Sequence, residues 1–181
     1  MRLFVECVVP FPLPLVYATY RDRVVELVPH LPNIRAIEVK ERRDETVNGS
    51  KVSHLINVWR GGGDIPAVAR AFLSEKMLTW TDTATWDEAR ATCEWKIETH
   101  SFKEAVHASG SNRFVVEGEG TRVIVEGDLT IEGKKLPIPR FLAGVAAPAV
   151  EKFLVGSIQP NLTEVAKAVE KLLRSEVGKQ G

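Results

Sequence analysis

Four tryptophans stand at positions 59, 80, 86 and 95, close together in the middle of a 181-residue chain. An indole removes of order 150 to 250 Å² from water when buried, so such a group either fills a core or lines a pocket. A pocket of roughly 300 to 1,000 Å³ walled in this way would take a small apolar molecule. One ionisable group sits among the rings, because Asp82 shares an alternating face with Trp80 and Trp86. Turned inward, its carboxyl would meet an apolar setting that favours the neutral form and makes it available for acid–base chemistry. Turned outward, it is merely solvated. Thr79, Thr81, Thr83 and Thr85 could equally supply the inner face, so an outward or strand-end Asp82 is expected.

His54 shares its strand face with Val52, Ile56 and Val58, which makes it a candidate inward anchor; a hydrogen-bonded core histidine is the plainer alternative. His54 and Asp82 are the candidates for touching the polar end of a ligand. Arg113 completes the ionisable set, and Phe153 joins the tryptophans as a candidate wall residue.

Other chemistries lack their patterns. The four histidines, at 30, 54, 100 and 107, make neither HExxH nor any close ligand pair. Cys7 and Cys93 match no metal spacing and have no identifiable partner for nucleophilic work. The run Arg60-Gly61-Gly62-Gly63 lacks the GK[ST] ending and the GxGxxG spacing of phosphate loops, and reads as a flexible connector. No GxSxG elbow occurs. Neither metal nor cofactor is expected.

Charge narrows the partners. Twenty-four basic and 24 acidic residues cancel, so nucleic acid and anionic membranes lose the net field that usually gathers them. The apolar opening MRLFVECVVPFPLPLVY is interrupted by Glu6 and then by three prolines, unlike a secretory leader, and nowhere do about 20 apolar residues run together. A soluble, cytoplasmic protein without stable membrane insertion is expected, and a homodimer is left open.

The candidates need elements to hold them. The length suits one domain over residues 1–174, since a core of this size buries roughly 70% of the unfolded surface; a loose polar tail should follow over 175–181. Residues 2–9 are rich in β-branched and aromatic types and end at Pro10, which reads as a strand. Val16, Tyr20, Val24, Leu27 and Leu31 recur at helical spacing after Pro14. From Ile34 the period becomes two, and Asn48-Gly49 marks a tight hairpin into Val52–Trp59. Asp64 before Ile65-Pro66 predicts an inserted helix over about 65–77.

Alternation resumes around Trp80 to Trp86 and Ala91 to Ile97, then over 105–117, with a bulge expected near Gly110, and over Thr121 to Ile131. Gly127 leaves a gap there for a large body to approach. A helix should run from about Phe141 to Leu173 with Val150, Leu154, Ile158, Leu162, Val165, Val169 and Leu172 as one stripe. Pro160 predicts a kink, or two abutting helices, near Gly156 to Pro160.

Strand, helix, a meander of about six strands and a long closing helix resembles the START-like helix-grip (SRPBCC) superfamily, which includes polyketide cyclases, Bet v 1-type pollen allergens and lipid-transfer domains. The segments RDRVVELVPHLPNIRAIEVKERR and PAVEKFLVGSIQPNLTEVAKAVEKLL look like that superfamily's first helix with its following strand and its closing helix. The LPNIRAIEVKER stretch, the Trp-rich middle and the 65–77 insertion are also similar to mitochondrial phospholipid-transfer relatives, without assigning a family. The resemblance implies an α+β fold in which a curved antiparallel sheet of six or seven strands wraps a C-terminal helix. It further implies a hydrophobic small molecule or lipid, bound or transported in a cavity between them. An enzyme of cyclase or hydratase type, using Asp82, His54 or Arg113 in the same cavity, is the alternative. A third reading, an interaction protein, would require a solid core.

Overall fold

The computed structural model describes residues 1–65, 67, 70, 72–136, 138 and 143–178. Seven strands form one antiparallel sheet: β1 (Arg2–Val9), β2 (Ile34–Val47), β3 (Ser50–Gly61), β4 (Thr79–Asp87), β5 (Thr92–Thr99), β6 (Val106–Glu117) and β7 (Gly120–Ile131). Their order is β1-β7-β6-β5-β4-β3-β2, a meander whose last strand takes the first as its outer neighbour. Helix α1 (Leu13–Asp22) follows β1, and helix α2 (Ala143–Val177) closes the chain by packing against β1, β7 and α1. This is the expected curved sheet around a C-terminal helix.

The hairpin between β2 and β3 turns on Asn48 and Gly49, with φ of 50° and 80°, the left-handed pair that a two-residue turn demands. Helix α1 begins with Pro14 in its first turn, where a missing N–H costs nothing. The expected single early helix is shorter. It stops at Asp22, and Val24–His30 tighten into a 3-10 helix. Pro29 lacks an N–H and disfavours the α conformation at Val28, which accounts for the change.

Three further expectations are corrected. Among the described positions of 65–77 none is α-helical: Ala67, Arg70 and Phe72 lie in turns, and only Glu75–Met77 form a short 3-10 helix; residues 66, 68, 69 and 71 lie outside the described residues. Of the kink or abutting helices expected near Gly156 to Pro160, the abutting helices do not occur, since α2 runs as one element through Pro148 and Pro160. It also continues to Val177, so residues 175–177 of the expected tail are helical, while 179–181 lie outside the described residues.

The α2 stripe divides by task. Val150, Val169 and Leu173 are fully buried against the sheet and the segment after α1, whereas Ile158, Leu162 and Val165 in between are only half-buried. Arg23 grips the far end of α2 through Glu176, with Nη1 donating to Oε2 at 3.1 Å.

No bulge forms at Gly110. The β6–β7 register is unbroken, with Gly110 opposite Gly127, and the irregularities fall in β2 instead. The glycine pair serves close approach. A Cβ on Gly110 would lie 2.2 Å from the Glu126 carbonyl oxygen and 2.6 Å from the Trp95 ring, and one on Gly127 would lie 2.9 Å from the same ring. The large body that Gly127 leaves room for is therefore the Trp95 indole. Gly110→Ala should lower the unfolding free energy by about 2 to 3 kcal/mol, the usual cost of overpacking. Gly156→Ala, in open space on α2, should raise it by about 0.5 kcal/mol. Urea denaturation of the two variants checks the pair, and equal effects would contradict the close-packing account.

Candidate functional site

Antiparallel register sets the inner face of the sheet in cross-strand rows. Asn57, Asp82, Ile97 and Ala108 stand side by side on β3, β4, β5 and β6. Trp59, Trp80 and Thr99 form the row on one side; Leu55, Ala84, Trp95 and Gly110 form the row on the other. Beyond that come Ser53, Trp86, Cys93 and Asn112. Ala84 and Ala108 are short, and the space above them is not refilled by α2. A cavity of about 210 Å³ remains between these rows and Phe153, Leu154, Ile158, Leu162 and Val165 of α2. A solid interior, which a pure interaction role would want, is not what this chain builds.

All four tryptophans line the cavity, each held differently. Trp59 and Trp80 stack at 6.0 Å with planes 13° apart. Trp86 joins Tyr17, Tyr20 and Phe114 in an edge-to-face cluster that fills the space under α1. Trp95 lies against the glycine pair and donates its indole N–H to Asn112 Oδ1 at 3.0 Å. Half-buried Phe153 faces them from α2.

Asp82 points inward, contrary to the outward placement expected. Its alternate threonines take the outer face, where Thr81 bonds His100 at 2.8 Å and Thr85 bonds His54 at 3.2 Å. Burial pushes the Asp82 carboxyl up to about 6; Asn57 and Trp59 beside it pull the other way, with less effect. Neither neighbour is satisfied by this contact, since Asn57 Oδ1 and the Trp59 indole nitrogen are buried without a hydrogen-bond partner of normal geometry. Thr99 Oγ1 and the Tyr20 hydroxyl are in the same condition and line the same cavity. Arg21 reaches the lining as well, but its guanidinium is held by Asp22 at 2.8 Å and Glu88 at 3.0 Å. Burial raises the Cys93 thiol well above its ordinary value, with the Asp82 charge adding to the effect, which keeps it an inert wall residue.

No protein-family model matches the sequence, and no curated protein matches it. Solved structures do. The Zhui aromatase/cyclase from Streptomyces sp. R1128 superposes with a TM-score of 0.63 at 20% identity, over 98% of this chain and 95% of that one. The fold is that of the START-like helix-grip superfamily. One half of the di-domain aromatase/cyclase StfQ from the steffimycin pathway matches at TM-score 0.60 and 13% identity, over 98% of this chain and 51% of that one. The 18 kDa protein CC1736 from Caulobacter crescentus matches at 0.51 and 18%, over 97% and 99%. At such identities the likeness speaks for the helix-grip fold.

Six of the eight candidates therefore meet in the helix-grip cavity, namely the four tryptophans, Asp82 and Phe153. The other two do not. His54 lies on the outer face with Nε2 2.8 Å from Glu45 Oε1, and Arg113 is exposed on the outer face of β6. For His54 the cause is a one-residue parity: Ser53, Leu55, Asn57 and Trp59 face in, so Val52, His54, Ile56 and Val58 face out. Asn57 and Thr99 were not among the candidates. Their signal was present, because each alternates in phase with a tryptophan, at 59 and 95 respectively.

A carboxyl near 6 in the folded chain and about 3.9 in the unfolded one makes the native state bind more protons between these values. Stability is then favoured below pH 4 and falls as pH rises through 6. Asp82→Asn removes the ionisation, so above neutrality the variant should be more stable than the wild type by of order 2 kcal/mol, the difference vanishing near pH 4. Guanidinium unfolding of both proteins across that range provides the measurement, and a constant difference would count against a buried, titrating Asp82.

Proposed function

We propose that this protein binds a hydrophobic small molecule or lipid between the inner face of its sheet and α2, shielding it from water during transfer. The observation that carries this reading is the cavity. Protein interiors pack to crystal-like density, so a cavity of about 210 Å³ walled mainly by apolar side chains leaves contacts unmade that a ligand can supply. A molecule that packs against Trp59, Trp80 and Leu162 makes them. Proteins named as aromatase/cyclases share this fold.

A second reading has its own observation. Asp82 stands inside the cavity with a pKa near neutrality, the condition in which a carboxyl exchanges protons with a substrate. An enzyme of cyclase or hydratase type would use it as the acid or base.

Organic-solvent extraction of purified protein, read by mass spectrometry, should release an apolar molecule. The same protein should take up the uncharged fluorophore N-phenyl-1-naphthylamine. Ala108→Phe, which grows a ring into the cavity from its middle row, should cut that uptake by about tenfold or more while leaving the fold intact by circular dichroism. Wild-type protein that neither yields a molecule nor takes up the fluorophore would exclude the binding reading. Recovery of a bound molecule chemically changed by the wild type and unchanged by Asp82→Ala would favour the enzyme.

A further inference from the structure

The polar groups of the cavity do not balance, and the imbalance indicates what its occupant carries. Asp82 offers two carboxylate oxygens, and Asn57 Oδ1 beside it is an acceptor without a donor, in a residue only 4% exposed. Against these stand the Trp59 N–H and the Asn57 amide beside Asp82, together with the Thr99 and Tyr20 hydroxyls, which can act either way, and no free positive charge. No cation is free to neutralise the carboxylate, since Arg21 is the basic residue of the described lining and is committed to Asp22 and Glu88. Buried acceptors without donors carry a desolvation penalty that a ligand can lift.

We propose that the cavity selects apolar molecules bearing one hydrogen-bond-donating head group, a hydroxyl or a protonated amine, which seats between Asp82 and Asn57 while the apolar body lies along Trp59, Trp80 and α2. This rests on the ligand-binding reading above. An anionic head group, such as a fatty-acid carboxylate or a phosphate, would bring a second negative charge beside Asp82 with no counter-charge, and is rejected. An amine supplies that counter-charge and gains further from the indole faces beside it.

The two kinds of ligand should respond oppositely to pH. A purely apolar body that displaces water from Asp82 favours the neutral carboxyl and binds more tightly below pH 6. A donor-bearing head favours the carboxylate, through a charge-assisted bond, and binds more tightly above it. Among the described lining residues nothing else titrates in this window. The β3 and β6 neighbours Asn57, Trp59, Ala108 and Asn112 carry no ionisable group, and neither do the lining residues of α2. Cys93 on β5 and Tyr20 on α1 stay neutral because burial raises both, and Arg21 stays charged.

Four probes of one shape test this: naphthalene, 2-naphthol, 2-naphthylmethylamine and 2-naphthoate, each competed against N-phenyl-1-naphthylamine at about pH 5 and about pH 7.5. At the higher pH the naphthol and the amine should bind about tenfold more tightly than naphthalene, with naphthoate weakest. Naphthalene should gain on acidification while the amine loses. Asp82→Asn should flatten both pH profiles and abolish the preference for the amine. Asn57→Leu, which leaves Asp82 in place, should weaken the naphthol about threefold and keep the opposite pH responses while moving them to higher pH. Equal binding of all four probes, naphthoate leading, or an unchanged order in Asp82→Asn would overturn the head-group proposal while leaving the cavity a binding site. Failure of every probe, the competitor included, would remove the binding reading itself.

Discussion

The Trp95 indole can settle against the sheet because Gly110 and Gly127 face each other across β6 and β7, and much of the molecule follows from that contact. Where two Cβ atoms would have stood, the ring's six-membered edge lies down, and its N–H is tied to Asn112. A tryptophan kept low leaves room beside it over Ala84 in its own row and Ala108 in the next. The cavity is thus a consequence of how a large side chain is stored, and small residues opposite α2 keep it open.

Helix α2 completes the arrangement by being apolar along its length while packing tightly only towards its ends. Its buried ends fasten it to the sheet and to Arg23, and its half-buried middle roofs the cavity. This division lets one element both stabilise the fold and face a ligand. Asp82 belongs to the same compromise. A carboxyl removed from water weakens the native state at neutral pH, and Asp82 stands beneath the roof among partnerless polar atoms.

Much of the fold was legible in the sequence because its signals are local: period-two alternation for the strands, Asn48-Gly49 for the hairpin, and a long apolar stripe for α2. The order of elements then carried the resemblance. Which face of a strand turns inward was harder to read. On β3 the outer face holds Val52, Ile56 and Val58 while the inner face holds Ser53 and Asn57, so the ordinary hydrophobic rule points the wrong way and put His54 inside. On β4 the threonines suit either environment, which turned Asp82 outward in the sequence reading. Both failures occur on strands that turn polar side chains, Ser53, Asn57 and Asp82, towards the inside, where the hydrophobic pattern no longer marks the inner face. In the segment 65–77 a capping aspartate and a proline are start signals, while the described positions there lie in turns and one short 3-10 helix.

The pairing of β1 with β7 places Leu3 opposite Gly127, so the first strand of the chain finds its partner only when the seventh is in place. Contacts so remote in sequence are slow to form, because the loop they close is long. During synthesis Arg2–Val9 must wait as an unpaired edge, with Phe4 and Val8 on the side that remains exposed even in the finished protein. The interior cannot be sealed until β7 and α2 have both reached β1, so its closure depends on the most remote contacts in the fold.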